Sequence, residues 1–224
     1  MNSSDWEIAA KQEWDDRATF WNERSEVMWK KGSRKDIVPF MSNYLHKDNK
    51  VIDIGCGNGY GTNMLNKAGF QAEGIDLSPE MIELAKERFK HISFQQGSIL
   101  DLPYPSNKFD GVLAINVLEW IKNPSLALME IKRILKQKGL VCAGILGPTA
   151  RPRMHGYRRV YGEEVIINSM MPWDFAQLAI ENGFTLLDSF GVHKKGVTDQ
   201  KIEGFPLELK QAVSFMWVFI FEKK

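Results

Sequence analysis

No stretch of this sequence approaches the roughly 18 consecutive apolar residues that mark a membrane-spanning helix, and no basic start leads into an apolar run of the kind that marks an export signal. An excess of charge of one sign is lacking too. The 29 Lys and Arg residues face 28 Asp and Glu, a formal net charge of +1, which points away from nucleic acid and from a membrane surface. Cysteine occurs twice, as Cys56 and Cys142. That excludes a disulfide scaffold and predicts free thiols in the cytoplasm. Internal repeats, low-complexity tracts and ligand clusters with zinc spacing are absent, so no metal is expected. The remainder is 224 residues with 44% apolar composition, suited to one domain with a full core.

Glycine is concentrated where the chain is most telling. Val51-Ile52-Asp53-Ile54 empties into Gly55-Cys56-Gly57-Asn58-Gly59-Tyr60-Gly61, and a helix-like segment follows. Such a loop can take φ > 0 and let a ligand approach the backbone closely. A strand entering a glycine-rich turn before a helix is the nucleotide-binding entry of an open α/β sheet. A dinucleotide fingerprint needs its third glycine three places after the second, and here that place holds Tyr60. Asp76 falls 21 residues after Gly55, where a carboxylate can accept both ribose hydroxyls of an adenosine.

Strand-like runs at 50–54, 72–77, 92–96, 109–116, 140–146, 184–192 and 215–221 alternate with helical patterns at 60–68, 79–89, 123–137 and 171–182. Ser78-Pro79 and Asn123-Pro124 are helix starts with a capping side chain and proline in the first turn. This alternation calls for a parallel sheet with helices on both faces. The last run is wholly apolar, as in a strand buried on both faces.

Asp53-x-Gly55-x-Gly57-x-Gly59 resembles the first motif of class I S-adenosylmethionine (SAM)-dependent methyltransferases, and later segments resemble the motifs that follow it, over residues 48–147. The resemblance implies a Rossmann-like open seven-stranded sheet, mostly parallel with one antiparallel C-terminal strand. It implies SAM as cofactor, S-adenosylhomocysteine as product, and methyl transfer to a small-molecule acceptor by in-line displacement. Residue by residue, it assigns Asp53 to the SAM amino group, Gly55, Gly57 and Gly59 to the cradle, and Asp76 with Leu77 to the ribose. Gln96-Gly97-Ser98-Ile99 matches the adenine segment; Ser98 stands where the family commonly has an acidic residue, and Ile99 covers one face of the base. Asn116 falls where the family contacts the methionine part, and Trp120 replaces the His that a subgroup carries after Leu-Glu. A SAM-binding sensor or scaffold without catalysis is the alternative; an NAD-dependent oxidoreductase is a further one, opposed by Tyr60.

The chain is expected to form a single methyltransferase domain, 1–224: a helical cap (1–45), the SAM-binding half (46–147), a lid-like insertion (148–170) and the C-terminal part of the sheet (171–224). The cap holds Trp6, Trp14, Trp21 and Trp29. On one continuous helix their rings fall within an arc of roughly 140°, fit to dock on the sheet or to line a pocket. The insertion holds Arg151, Arg153, Arg158 and Arg159, a solvated face or a clamp for an anionic acceptor. Both segments are expected over the carboxyl ends of the strands, with Trp29, Tyr157 and Tyr161 toward the sulfonium or an amine acceptor and His155 and Arg159 toward the acceptor. His155, Tyr157, Tyr161 and His193 are the candidate bases.

Overall fold

The computed structural model describes residues 2–224. The N-terminal helices are α1 (Ser3–Asp16), α2 (Ala18–Lys30) and the short α3 (Ile37–Met41). Alternating strands and helices follow: β1 (Lys50–Ile54), α4 (Tyr60–Lys67), β2 (Gln71–Asp76), α5 (Pro79–Arg88), β3 (Phe94–Gln96), β4 (Phe109–Ile115), α6 (Pro124–Ile134) and β5 (Leu135–Leu146). A 3₁₀ stretch, Arg151–Tyr161, leads to α7 (Pro172–Glu181) and β6 (Phe184–His193). The chain closes with α8 (Asp199–Ile202), α9 (Leu207–Ala212) and β7 (Ser214–Lys223).

The seven strands lie in the order β3-β2-β1-β4-β5-β7-β6. The first five run parallel, and β7 pairs antiparallel with both β5 and β6. β7 is paired along both edges, and its two faces meet the two apolar layers of the protein, Trp217, Phe219 and Phe221 on one side and Met216, Val218 and Ile220 on the other, which is why Met216 to Phe221 is apolar throughout. The strand order reverses between β1 and β4, β2 and β3 being added on one side of β1 and β4 and β5 on the other, and open α/β sheets bind ligands at such a switch point.

Two apolar layers hold the sheet. On one face Ile52, Ile54, Val112 and Ala114 pack against α6 and α7 through Leu128, Ile131 and Phe175. On the other, Val51, Leu113 and Val218 meet Ile37, Met41, Leu65 and Trp29. The helix starts form as their sequence signals predict. Ser78 Oγ accepts from the Met81 amide at 3.1 Å, and Asn123 Oδ1 accepts from the Ser125 amide at 3.2 Å.

Three elements differ from expectation. The cap is not one helix but two, broken at Arg17, whose backbone leaves the helical region (φ −101°, ψ 1°). The last part of the expected helical cap, residues 37–45, is helical only as far as Met41. The fifth strand starts at Leu135 rather than Leu140: Leu135 pairs with Phe109, the register then slips, and Gly111 pairs with Leu140. The slip carries Lys138 at φ 59°, so residues 135–139 form an irregular lead-in that periodicity cannot separate from the end of α6. Among the described residues, no helix is long and apolar enough to cross a membrane.

Candidate functional site

One cavity opens over the carboxyl ends of β1, β2, β3 and β4, at the switch point. It encloses about 1440 Å³ of empty space counted out to its mouth. Its floor is the glycine loop, and its wall on the β2 and β3 side carries Asp76, Leu77, Gly97, Ser98 and Ile99. Ile115, Asn116, Val117 and Trp120 line it after β4; Trp6, Trp14, Trp21 and Trp29 of α1 and α2 roof it.

The glycines of the loop have different tasks. A β-carbon on Gly55 would run into Val117, and one on Gly59 into the ring of Phe94. A β-carbon on Gly57 would meet only Met81 Sδ, at 3.8 Å, and otherwise point into the cavity. Gly57 is therefore the point of close backbone approach, and its φ of 52° suits a residue without a side chain. Its amide donates to Asp76 Oδ2 at 2.8 Å, and the Ser78 amide donates to Oδ1 at 2.9 Å. The carboxylate thus knits the ends of two strands together and keeps lone pairs for a diol. Burial raises the Asp76 pKa, and the amide donors work against that rise.

Asp53 lies beneath the loop, 4% exposed, with Thr62 Oγ1 donating to Oδ2 at 2.7 Å. Burial pushes its pKa up to about 7, with Thr62 and the Arg34 guanidinium pulling the other way. Arg34 faces the cavity from the chain after α2, 5.6 Å from the Trp29 ring. Burial lowers its pKa, offset by the fields of Asp53 and Glu119. Asn116 has φ 56° and donates its amide to the Gly144 carbonyl at 2.9 Å, so its own carbonyl and side chain sit at the cavity edge.

The cap is latched to the core at several points. Trp6 Nε1 donates to the Trp120 carbonyl at 2.6 Å, Ser78 Oγ donates to Asp15, and Ser98 Oγ donates to Glu7. Asn58 is held between Asn22 and Ser25, at 2.8 and 2.7 Å. Trp29 lies flush on Gly61, where any β-carbon would collide with the indole. Trp14 stands edge-on to Trp120, with ring centroids 4.9 Å apart. Arg17 reaches the insertion, its Nη1 2.9 Å from His155 Nε2. Burial, then the Arg17 charge, lowers the His155 pKa, which favours the neutral imidazole.

Of the residues singled out from the sequence, the cavity brings together Gly55, Gly57, Asp76, Leu77, Ser98, Ile99, Asn116, Trp29 and His155. Asp53 and Gly59 stand behind it as support. Of the insertion, only Pro152 and His155 reach the wall. Tyr157 and Tyr161 do not: they are 56% and 64% exposed and hydrogen-bond each other at 2.9 Å. Three of the four arginines are spent on the insertion and the strand end before it. Arg153 donates to the carbonyls of Leu146 and Met170, Arg159 to that of Ile167, and Arg158 pairs with Glu163. His193 packs on Trp217 of the antiparallel strand, outside the cavity. Sequence reasoning missed Glu7, Arg17, Arg34 and Glu119. Glu119 is fully buried, accepts from the Leu146 amide at 2.6 Å and leaves Oε2 without a partner.

A cavity at the switch point of the sheet, floored by a glycine loop beside a buried carboxylate, with an antiparallel strand between β5 and β6, is the arrangement of the class I SAM-dependent methyltransferase fold. Residues 52–143 match the family described as "Methyltransferase domain". That matched segment is similar to a methyltransferase domain, and the cofactor that goes with such a domain is S-adenosylmethionine. An uncharacterized methyltransferase of Schizosaccharomyces pombe is 32% identical over 145 residues, covering 58% of this chain and 52% of that protein. A demethylmenaquinone methyltransferase of Staphylococcus haemolyticus is 31% identical over 140 residues, covering 60% and 55%. The chain thus spans about half the length of the curated relatives it matches. Among solved structures, the methyltransferase bound to the Haloferax volcanii Trm112 activator superposes with a TM-score of 0.74 at 19% identity, covering 94% of this chain and 97% of that one. At that identity the likeness speaks for the fold.

Proposed function

We propose that the protein transfers a methyl group from S-adenosylmethionine to a small, flat, neutral or anionic acceptor. The observation that carries this reading is the continuity of one cavity from the Gly57–Asp76 floor to a chamber walled by Trp6, Trp14, Trp21 and Trp120. Bound SAM supplies an activated methyl on a sulfonium; the acceptor–carbon bond forms as the carbon–sulfur bond breaks, leaving S-adenosylhomocysteine. The chain supplies alignment and exclusion of water, and the latched cap serves both.

The charge of the wall selects the acceptor. Arg17 and Arg34 face the cavity, while the carboxylates lining it among the described residues, Glu7 and Asp76, sit by β3 and β2. A cationic amine would meet like charge at the tryptophan end. A ring with an oxygen substituent would lie between indole faces and find donors in the guanidinium groups. The relative named for demethylmenaquinone is consistent with an acceptor of this kind. His155, whose neutral form burial and Arg17 favour, is the group proposed to take a hydroxyl proton once Arg17 lets go of Nε2.

That contact also favours a second reading. With Arg17 donating to the basic nitrogen, a closed SAM-binding sensor without turnover is the alternative. Radiolabelled SAM offered with a panel of phenols, quinols and carboxylates separates the two. Labelled product that His155→Gln diminishes supports transfer; tight SAM binding with no labelled product from any acceptor favours the sensor. Two buried free cysteines suit the reducing cytoplasm proposed as its place.

A further inference from the structure

We infer that Glu7, on the cap helix α1, reads the exocyclic amine of the adenine and makes the cap part of the nucleoside site. This rests on the SAM-binding reading above. With the ribose held at Asp76, at the end of β2, as that reading has it, the base would extend toward the neighbouring strand end at β3, where Ile99 lines the cavity. An amine there needs an acceptor. The strand end itself offers Ser98, whose hydroxyl gives its one proton to Glu7 Oε1 and accepts from the Leu100 amide at 3.0 Å, which leaves a single neutral lone pair. Glu7 lines the same wall. Its carboxylate has four lone-pair sites, and the Ser98 hydroxyl takes one and aims the group at the β3 edge. Ser98 thus acts as a positioning residue, and a charged acceptor arrives from 91 residues upstream. A carboxylate accepts an amine hydrogen bond roughly twice as strongly as a hydroxyl would.

The consequence is a specificity element that exists only while α1 is docked. Adenine draws the cap down, and a base that lacks the amine does not.

Calorimetry with S-adenosylhomocysteine and S-inosylhomocysteine tests this without any turnover. The wild-type protein should prefer the adenosyl ligand by about 10–100-fold, the scale of one charge-assisted hydrogen bond. Glu7→Ala should erase most of that preference. A role for Glu7 confined to pinning the cap would weaken both ligands alike and leave their ratio unchanged, which overturns the inference. Ser98→Asp supplies the control: alone it sets two carboxylates together and should lower affinity, whereas in the Glu7→Ala background it should restore the preference. Failure of that rescue, with both variants folded by circular dichroism, also overturns it. Failure of the wild type to bind either ligand counts against the SAM reading itself.

Discussion

The Gly57 amide donates to Asp76 Oδ2 at 2.8 Å, so the glycine loop and the carboxylate proposed to hold the ribose are one unit. Asp76→Ala should therefore weaken S-adenosylhomocysteine binding by ~2–3 kcal/mol, the sum of lost charge-assisted hydrogen bonds and a loosened loop. Asp76→Asn keeps one acceptor for the amides and should lose less. Equal affinities for wild type and Asp76→Ala, measured by calorimetry, would mean that the adenosine lies elsewhere.

Gly57 and Gly59 should separate binding from folding. Both have positive φ, so an alanine at either costs about 1–2 kcal/mol of backbone strain. Gly57→Ala adds a methyl to the cavity and should cost affinity beyond its effect on the melting temperature. Gly59→Ala drives a methyl into Phe94 and should lower the melting temperature further. The opposite ranking would show that the loop serves mainly as a turn.

Asp53 ties stability to pH. Its folded pKa of about 7 lies above its ordinary 3.8, so the folded state holds the extra proton. Stability from this group is complete below pH 4 and declines as pH rises through about 7. A ligand ammonium nearby favours the ionised form, so binding should release a proton and strengthen between pH 6 and pH 8. Calorimetry in buffers of different ionisation enthalpy measures that release, which Asp53→Asn should abolish. Proton uptake on binding would contradict the assignment.

Gly61→Ala tests how the cap is seated. Alanine favours a helix interior by about 1 kcal/mol over glycine, but here the methyl must displace Trp29, which is 5% exposed. Overpacking of that kind costs roughly 1–3 kcal/mol, so the net effect should be a lower melting temperature and faster hydrogen exchange in α1 and α2. A more stable variant would mean that the cap is loosely held.

The sheet was legible because its signals are local: β-branched runs ending on glycine, Ser78-Pro79 and Asn123-Pro124 at helix starts, and an apolar run for the strand buried on both faces. Asp76 and the glycine loop were legible for the same reason, since spacing along one βαβ unit fixes both. What escaped depends on distance. Glu7 meets Ser98 and Arg17 meets His155 across 91 and 138 residues, and no periodicity encodes such contacts. The tryptophans of the cap reached the cavity although the helix carrying them breaks at Arg17, because α2 resumes over the same strand ends. Tyr157 and Tyr161 turned outward because residues four apart on a helical turn satisfy each other locally.

Titration of the purified protein with S-adenosylhomocysteine, followed by hydrogen exchange with and without it, tests the central claim most directly. The account predicts saturable one-site binding, with amide protection in the loop around Gly57, in α1 and α2, and around Pro152 to His155. No heat of binding at millimolar ligand, or protection confined to residues away from the strand ends, would contradict it.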